Sequence, residues 1–233
     1  MASAKPEILI QHRMTFPLAL GISGIIILCS LGTWQLQRLQ WKQQILTQID
    51  TEIAAVPTAI PGNPNRDRDN YLSVMASGDI RPGELLVLLS RPGFGPGYRV
   101  IVPFETNGRR VLLDRGFTSH GNRPDIRPPG SATVIGNLHW PDETDRLFTP
   151  SPDGNLWFSR DVQAMANFLE TEPLLVVARE VVPAAAQIIP WSVDSRAIPN
   201  NHRNYAITWF LLAAAWCAMT IFWLWKIKRS PSE

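Results

Sequence analysis

Apolar residues collect in two uninterrupted runs at opposite ends of the chain and break into short stretches between them. The first run is Met14 to Trp34 (MTFPLALGISGIIILCSLGTW) and the second is Tyr205 to Trp225 (YAITWFLLAAAWCAMTIFWLW). Each is 21 residues without Asp, Glu, Lys, Arg or His. At a helical rise of about 1.5 Å per residue, each measures roughly 31 Å, against a bilayer core of about 30 Å. A helix is the form expected there, because lipid offers no partner for backbone N–H and C=O groups. The pattern predicts a membrane protein in which two transmembrane α-helices, N- and C-terminal, flank a single mostly-β (α+β) extramembrane domain. Its parts are a tail at 1–13, a span at 14–34, a domain at 51–200, a span at 205–225 and a tail at 226–233.

Beyond the first span, Leu36, Leu39, Ile45, Leu46 and Ile49 recur at helical spacing with Gln, Arg and Lys between them, which extends the helix to about Asp50. Residues 57–70 (PTAIPGNPNRDRDN) are rich in turn formers and charge and read as loop. Strand-like runs follow at Tyr71–Ile80, Leu85–Leu89, Tyr98–Glu105, Val111–Leu113, Ala132–Trp140 and Leu174–Val182. Asn107-Gly108 between two of them is a hairpin signal, since both residues tolerate positive φ. Pro103 restricts its strand to an edge or a bulge. One short helix is expected through Glu170, capped by Ser159 or Asp161, with Val162, Met165, Ala166 and Leu169 on its buried face. The domain reads as a meander or open barrel with one or two helices.

Charge and cysteine content narrow the function. The stretch Gln35 to Asn204 holds 17 Lys+Arg and 18 Asp+Glu, net −1, which is no polyanion-binding surface and excludes nucleic acid as the expected partner. The two cysteines, Cys29 and Cys217, both lie in the apolar runs at different depths, so neither a disulfide between them nor a CxxC site in the domain is expected. The first run exceeds the 7–15 apolar residues of a secretory signal and lacks an A-x-A-like cleavage site, so it reads as a retained anchor. The tails carry Lys5, Arg13, Lys226, Lys228 and Arg229, against Arg38, Lys42, Arg196 and Arg203 at the margins of the domain. That bias places both tails in the cytoplasm and the domain outside.

Candidate chemistry is sparse. The four histidines, His12, His120, His139 and His202, share no metal-ligand spacing, and no G-x-S-x-G or Walker pattern occurs, so no enzyme is expected. Asp142, Glu143 and Asp145 cluster in a Pro-flanked turn and read as a solvated loop. His202 stands apart, three residues before the second run. On a continuous helix it shares a face with Tyr205, Ala206 and Trp209, which puts an imidazole at the membrane surface above aromatic side chains. Neutral imidazole is a common axial ligand of haem iron; a plain interfacial anchor is the alternative. Trp34 and Trp41 suit the headgroup layer.

Four segments resemble a known family: LGTWQLQRLQWKQQIL at the end of the first run, VLLDRGF in the middle, NLWFSRDVQAMA further on, and NNHRNYAITWF before the second run. Their order and the two-span layout are similar to those of the Surfeit locus protein 1 family. DRGF carries Asp and Phe where members often show Asn and Trp. The resemblance implies a non-enzymatic assembly factor for haem–copper cytochrome c oxidase, assisting delivery of haem a to the largest subunit, subunit I. The partners it implies are that subunit, other oxidase assembly factors and membrane lipid. The histidine it implies as the haem contact, and so as the ligand to the haem iron, is His202. Around it, Trp34, Trp41, Tyr205 and Trp209 are candidates to line the porphyrin or to touch the partner helix, and Arg38 or Arg203 to pair with haem propionates, with solvated anchoring the alternative for the arginines. The short leading tail leaves no room for a mitochondrial transit peptide, so a bacterial inner membrane with a periplasmic domain is expected. The alternative is a membrane-anchored protein–protein scaffold for oxidase biogenesis that binds no haem.

Overall fold

A computed structural model describes residues 5–122, 130–143 and 149–229. The chain forms two compact units. One comprises residues 1–47 and 196–233, and the other comprises residues 48–195.

The first unit is a pair of helices, α1 (Lys5–Ala54), whose last turns belong to the second unit, and α4 (His202–Arg229). Both are long and apolar enough to cross a membrane, and few of their side chains are covered by protein. Hydroxyls along them are satisfied internally. Ser30 Oγ donates to Ile26 O (2.7 Å), Thr33 Oγ1 to Cys29 O (2.9 Å) and Thr220 Oγ1 to Trp216 O (2.8 Å), as a medium without water requires. The helices meet through small residues. A Cβ on Gly21 would lie 2.2 Å from Thr220 Cγ2, one on Gly24 2.2 Å from Trp216 Nε1, and one on Gly32 2.8 Å from the Phe210 ring. On α4 the facing positions are Ala206 and Ala213, both buried. Without a hydrophobic drive between helices in lipid, close backbone approach is what holds such a pair.

The second unit is a seven-stranded sheet with strands β1 (Ser73–Ile80), β2 (Leu85–Arg91), β3 (Gly95–Thr106), β4 (Arg109–Ser119), β5 (Gly130–His139), β6 (Leu156–Trp157) and β7 (Leu175–Val182). A four-residue helix, α2 (Arg66–Asp69), interrupts the stretch read as loop, and α3 (Val162–Leu169) precedes β7. The order is β1-β5-β7-β4-β3-β2-β6, and an added pairing of β1 with β3 closes β1, β5, β7, β4 and β3 into a ring. The barrel is therefore shut where the sequence suggests an open one.

Pro103 explains how β3 serves two neighbours. Up to Ile101 its free edge pairs with β2, and from Phe104 it pairs with β1. Proline, which has no N–H to donate, sits at the changeover, and its carbonyl accepts from Arg81 N (2.9 Å). It is interior to the strand, neither at an edge nor at the bulge, which lies between Arg99 and Ile101. Asn107 and Gly108 turn the β3–β4 hairpin with φ of 50° and 73°.

Alternation splits the core in two. Val100, Val102, Phe104, Val111, Leu113, Val134 and Val176 fill the barrel. Leu85, Ile101, Leu112, Leu175 and Val177 face outward under α3, which contributes Val162, Met165, Ala166 and Leu169. Asp161 caps α3, its carboxylate accepting from Ala164 N at 3.0 Å, and Glu170 ends it in the left-handed region. The end of α1 is tied down within this unit. Ile53 O accepts from Asn137 Nδ2 (3.1 Å) and Arg179 Nη1 (3.0 Å), satisfying a terminal carbonyl of the helix.

Candidate functional site

His202 opens α4, and its ring is held from α1. His202 Nδ1 lies 2.8 Å from Gln35 Oε1. Gln35 continues the small-residue face formed by Gly21, Gly24 and Gly32, which turns its amide toward α4 and leaves it 9% exposed. The sequence reading missed this glutamine. Its signal was available: spacings of three, eight and three from Gly21 through Gly24 and Gly32 to Gln35 keep all four on one helical face.

The other residues expected around His202 divide by face. Trp209 is half-buried, on the same side of α4 as His202 and Ala206. Tyr205, at 57% exposure, and Arg203 point away from α1. Trp34, Arg38 and Trp41 form an outward stripe on α1, with the Arg38 guanidinium carbon 4.4 Å from the centre of the Trp41 ring. That contact is a cation–π pair, which holds a positive charge over an interfacial aromatic. Gln35 therefore meets His202 directly, Trp209 shares its side of α4, and Trp34, Trp41, Arg38 and Arg203 stand on neighbouring surfaces.

A second polar constellation lies wholly within the barrel unit. Asp114, fully buried on β4, pairs with Arg99 Nη1 at 2.5 Å, and Arg99 also donates to Trp191 O at 3.1 Å beneath the Trp191 ring. Arg160 Nη1 stands 3.7 Å from the same carboxylate and also binds Glu143. Partial desolvation works against the Glu143 charge, but hydrogen bonds from Arg160 and its positive charge prevail and hold the carboxyl below its usual range. Glu143 is exposed and ion-paired with Arg160; Asp145 lies outside the described residues. Within the DRGF segment, Asp114 Oδ1 accepts from Gly116 N (3.0 Å). Gly116 has φ of 116°, and a Cβ there would lie 2.3 Å from Ile189 O. The segment is a structural pivot, with the Asp114 charge answered inside the fold.

His120 and His139 are engaged elsewhere: His120 Nδ1 with Tyr98 Oη (2.7 Å) and His139 Nδ1 with Asn70 Oδ1 (3.1 Å). Among the described residues no three His, Cys, Asp or Glu converge as a metal site.

A family model described as the SURF1 family matches residues 23–214. Surfeit locus protein 1 of Xenopus tropicalis is 29% identical over 221 residues, covering 81% of this chain and 70% of its own length. The human Surfeit locus protein 1 is 28% identical over 228 residues, 85% of this chain and 73% of its own. A SURF1-like protein of Drosophila melanogaster is 29% identical over 227 residues, 86% and 74% of the two lengths.

Proposed function

We propose, from the premise that this chain belongs to the SURF1 family, that it is a non-enzymatic assembly factor for haem–copper cytochrome c oxidase. In this reading it sits in a bacterial inner membrane with both termini in the cytoplasm and the barrel in the periplasm. Haem a is its cargo and subunit I of the oxidase the recipient.

The observation that carries the reading is the His202–Gln35 pair. It holds one imidazole at the start of an apolar helix, against the face of a second. The donor set fits the cargo. Haem a is largely apolar with a carboxylate edge. His202 would offer one imidazole nitrogen to the iron, Trp209 would offer apolar contact, and Arg38 and Arg203 are cations within the same unit able to bind carboxylates. A single histidine suits a cargo that must leave, because a second protein ligand would slow release.

The test is the optical spectrum of the detergent-purified full chain, co-expressed with haem a synthesis. The parent is expected to carry haem a, and His202→Ala to lose most of it. Since that change also removes a contact between the helices, His202→Gln, which keeps a polar partner for Gln35, is run beside it. Equal haem a on parent and on both variants contradicts ligation by His202.

A second reading is a scaffold that binds subunit I and no haem. The same hydrogen bond favours it, since the imidazole is already used to clasp the helices. So does the outward stripe of Trp34, Arg38 and Trp41, which suits a partner helix. Capture of subunit I without haem a on any variant selects this reading.

A further inference from the structure

We propose that Gln35 is the positioning residue of the site: it fixes the tautomer of His202 and so decides which ring nitrogen can meet iron. The proposal rests on the reading of His202 as the haem contact. An amide oxygen accepts hydrogen bonds and cannot donate them. With His202 Nδ1 at 2.8 Å from Gln35 Oε1, the proton of the neutral ring therefore sits on Nδ1. The lone pair is left on Nε2, at the opposite edge of the ring. An unrestrained histidine side chain in water favours the reverse, with the proton on Nε2. Gln35 inverts that preference.

Gln35 is placed to do this firmly. It is 9% exposed and lies on the face by which α1 approaches α4, one turn beyond Gly32 and its contact with Phe210. The protein covering it restricts its rotamers, and the oxygen it offers is in place before any ligand arrives. A group that orients the far nitrogen of a ligating histidine also raises its basicity toward the metal. A neutral amide does so less than a carboxylate, which would draw the ring toward imidazolate and hold ferric iron harder. Glutamine thus gives orientation with a modest gain in bond strength, as transient ligation requires.

The test needs no activity. The full chain is purified in detergent with 15N-labelled histidine, and the His202 signals are assigned by their absence in His202→Gln. At a pH where the ring is neutral, the parent is expected to show the proton on Nδ1. Gln35→Leu is expected to shift the population to the Nε2-protonated form, and Gln35→Glu to keep the parent tautomer. Titration with ferric haem a is expected to weaken by about 10- to 100-fold in Gln35→Leu and to be retained in Gln35→Glu. Rescue by glutamate is the signature that a merely space-filling role lacks. A parent ring protonated on Nε2 overturns the proposal, as does a tautomer that Gln35→Leu leaves unchanged. Unaltered haem affinity in Gln35→Leu, with His202→Gln losing haem, overturns the positioning role alone. Equal haem binding by parent and His202→Gln, with the tautomer change as expected, removes the haem reading of His202 and leaves the hold of Gln35 on the ring intact.

Discussion

At the end of β5, burial, seconded by the nearby Arg160 charge, pushes the His139 imidazole down to about 4 from its ordinary 6.5. A folded-state value below the unfolded one means that the unfolded chain takes up the proton first. Stability is then complete above pH 6.5 and is lost as the pH falls toward 4. The loss through this one group amounts to about 2 kcal/mol between pH 7 and pH 5. Carboxylates held low by arginine partners, such as Glu105 beside Arg81 and Glu172 beside Arg109, act in the same direction, but below this window. Urea unfolding of the barrel at pH 7 and at pH 5 is expected to show this slope in the parent, and His139→Gln is expected to flatten most of it. Single residues were unevenly legible in the sequence. The Asp161 cap and the buried set Val162, Met165, Ala166 and Leu169 could be read because cap chemistry and helical period are local. Glu143 could not, because it is defined by its partner Arg160, and Gln35 was legible only as a member of the glycine face of α1, its role being set by His202 far along the chain.

Among elements, the two apolar helices are the most demanding. Their contact depends on glycines, so a side chain at Gly24 must displace Trp216. Gly24→Ile is expected to push α1 from α4 and to release the Gln35–His202 pair, at a cost of about 1–3 kcal/mol. Unfolding in graded denaturing detergent measures this, with Ile26→Val, on the outward side of α1, expected to change little. A resistant Gly24→Ile variant would show that the pair is held by something other than close approach. The sequence announces both helices by length and lack of charge, yet says nothing direct about their pairing. In the sheet the hairpin at Asn107-Gly108 was legible from turn chemistry. The two-residue β6, parallel to β2 at Leu86 and Val87, was not, since so short an element has no period to read. Pro103, read from the sequence as an edge or bulge residue, instead lies inside β3 opposite Leu112. Its place at a change of neighbours depends on ring closure, which is a property of the whole sheet.

At the scale of the molecule, a closed barrel and a helix pair share one chain, and polar chemistry is distributed between them by role. The barrel spends its charges on itself, through Asp114, Arg99, Arg160 and Glu143. The helix pair holds the His202 imidazole, steered by the Gln35 amide, beside apolar and aromatic surface. On the proposed reading as a transfer factor for an amphipathic cofactor, such a division provides a folded body and a ligand set against apolar surface. The most direct measurement is complementation in a bacterium deleted for its own SURF1-family gene, reading haem a per subunit I in the purified oxidase. Restoration by the parent chain, with a clear deficit for His202→Gln expressed at the same level, is the predicted result. Full restoration by His202→Gln, or an oxidase with its full haem a in the deletion strain, contradicts the account.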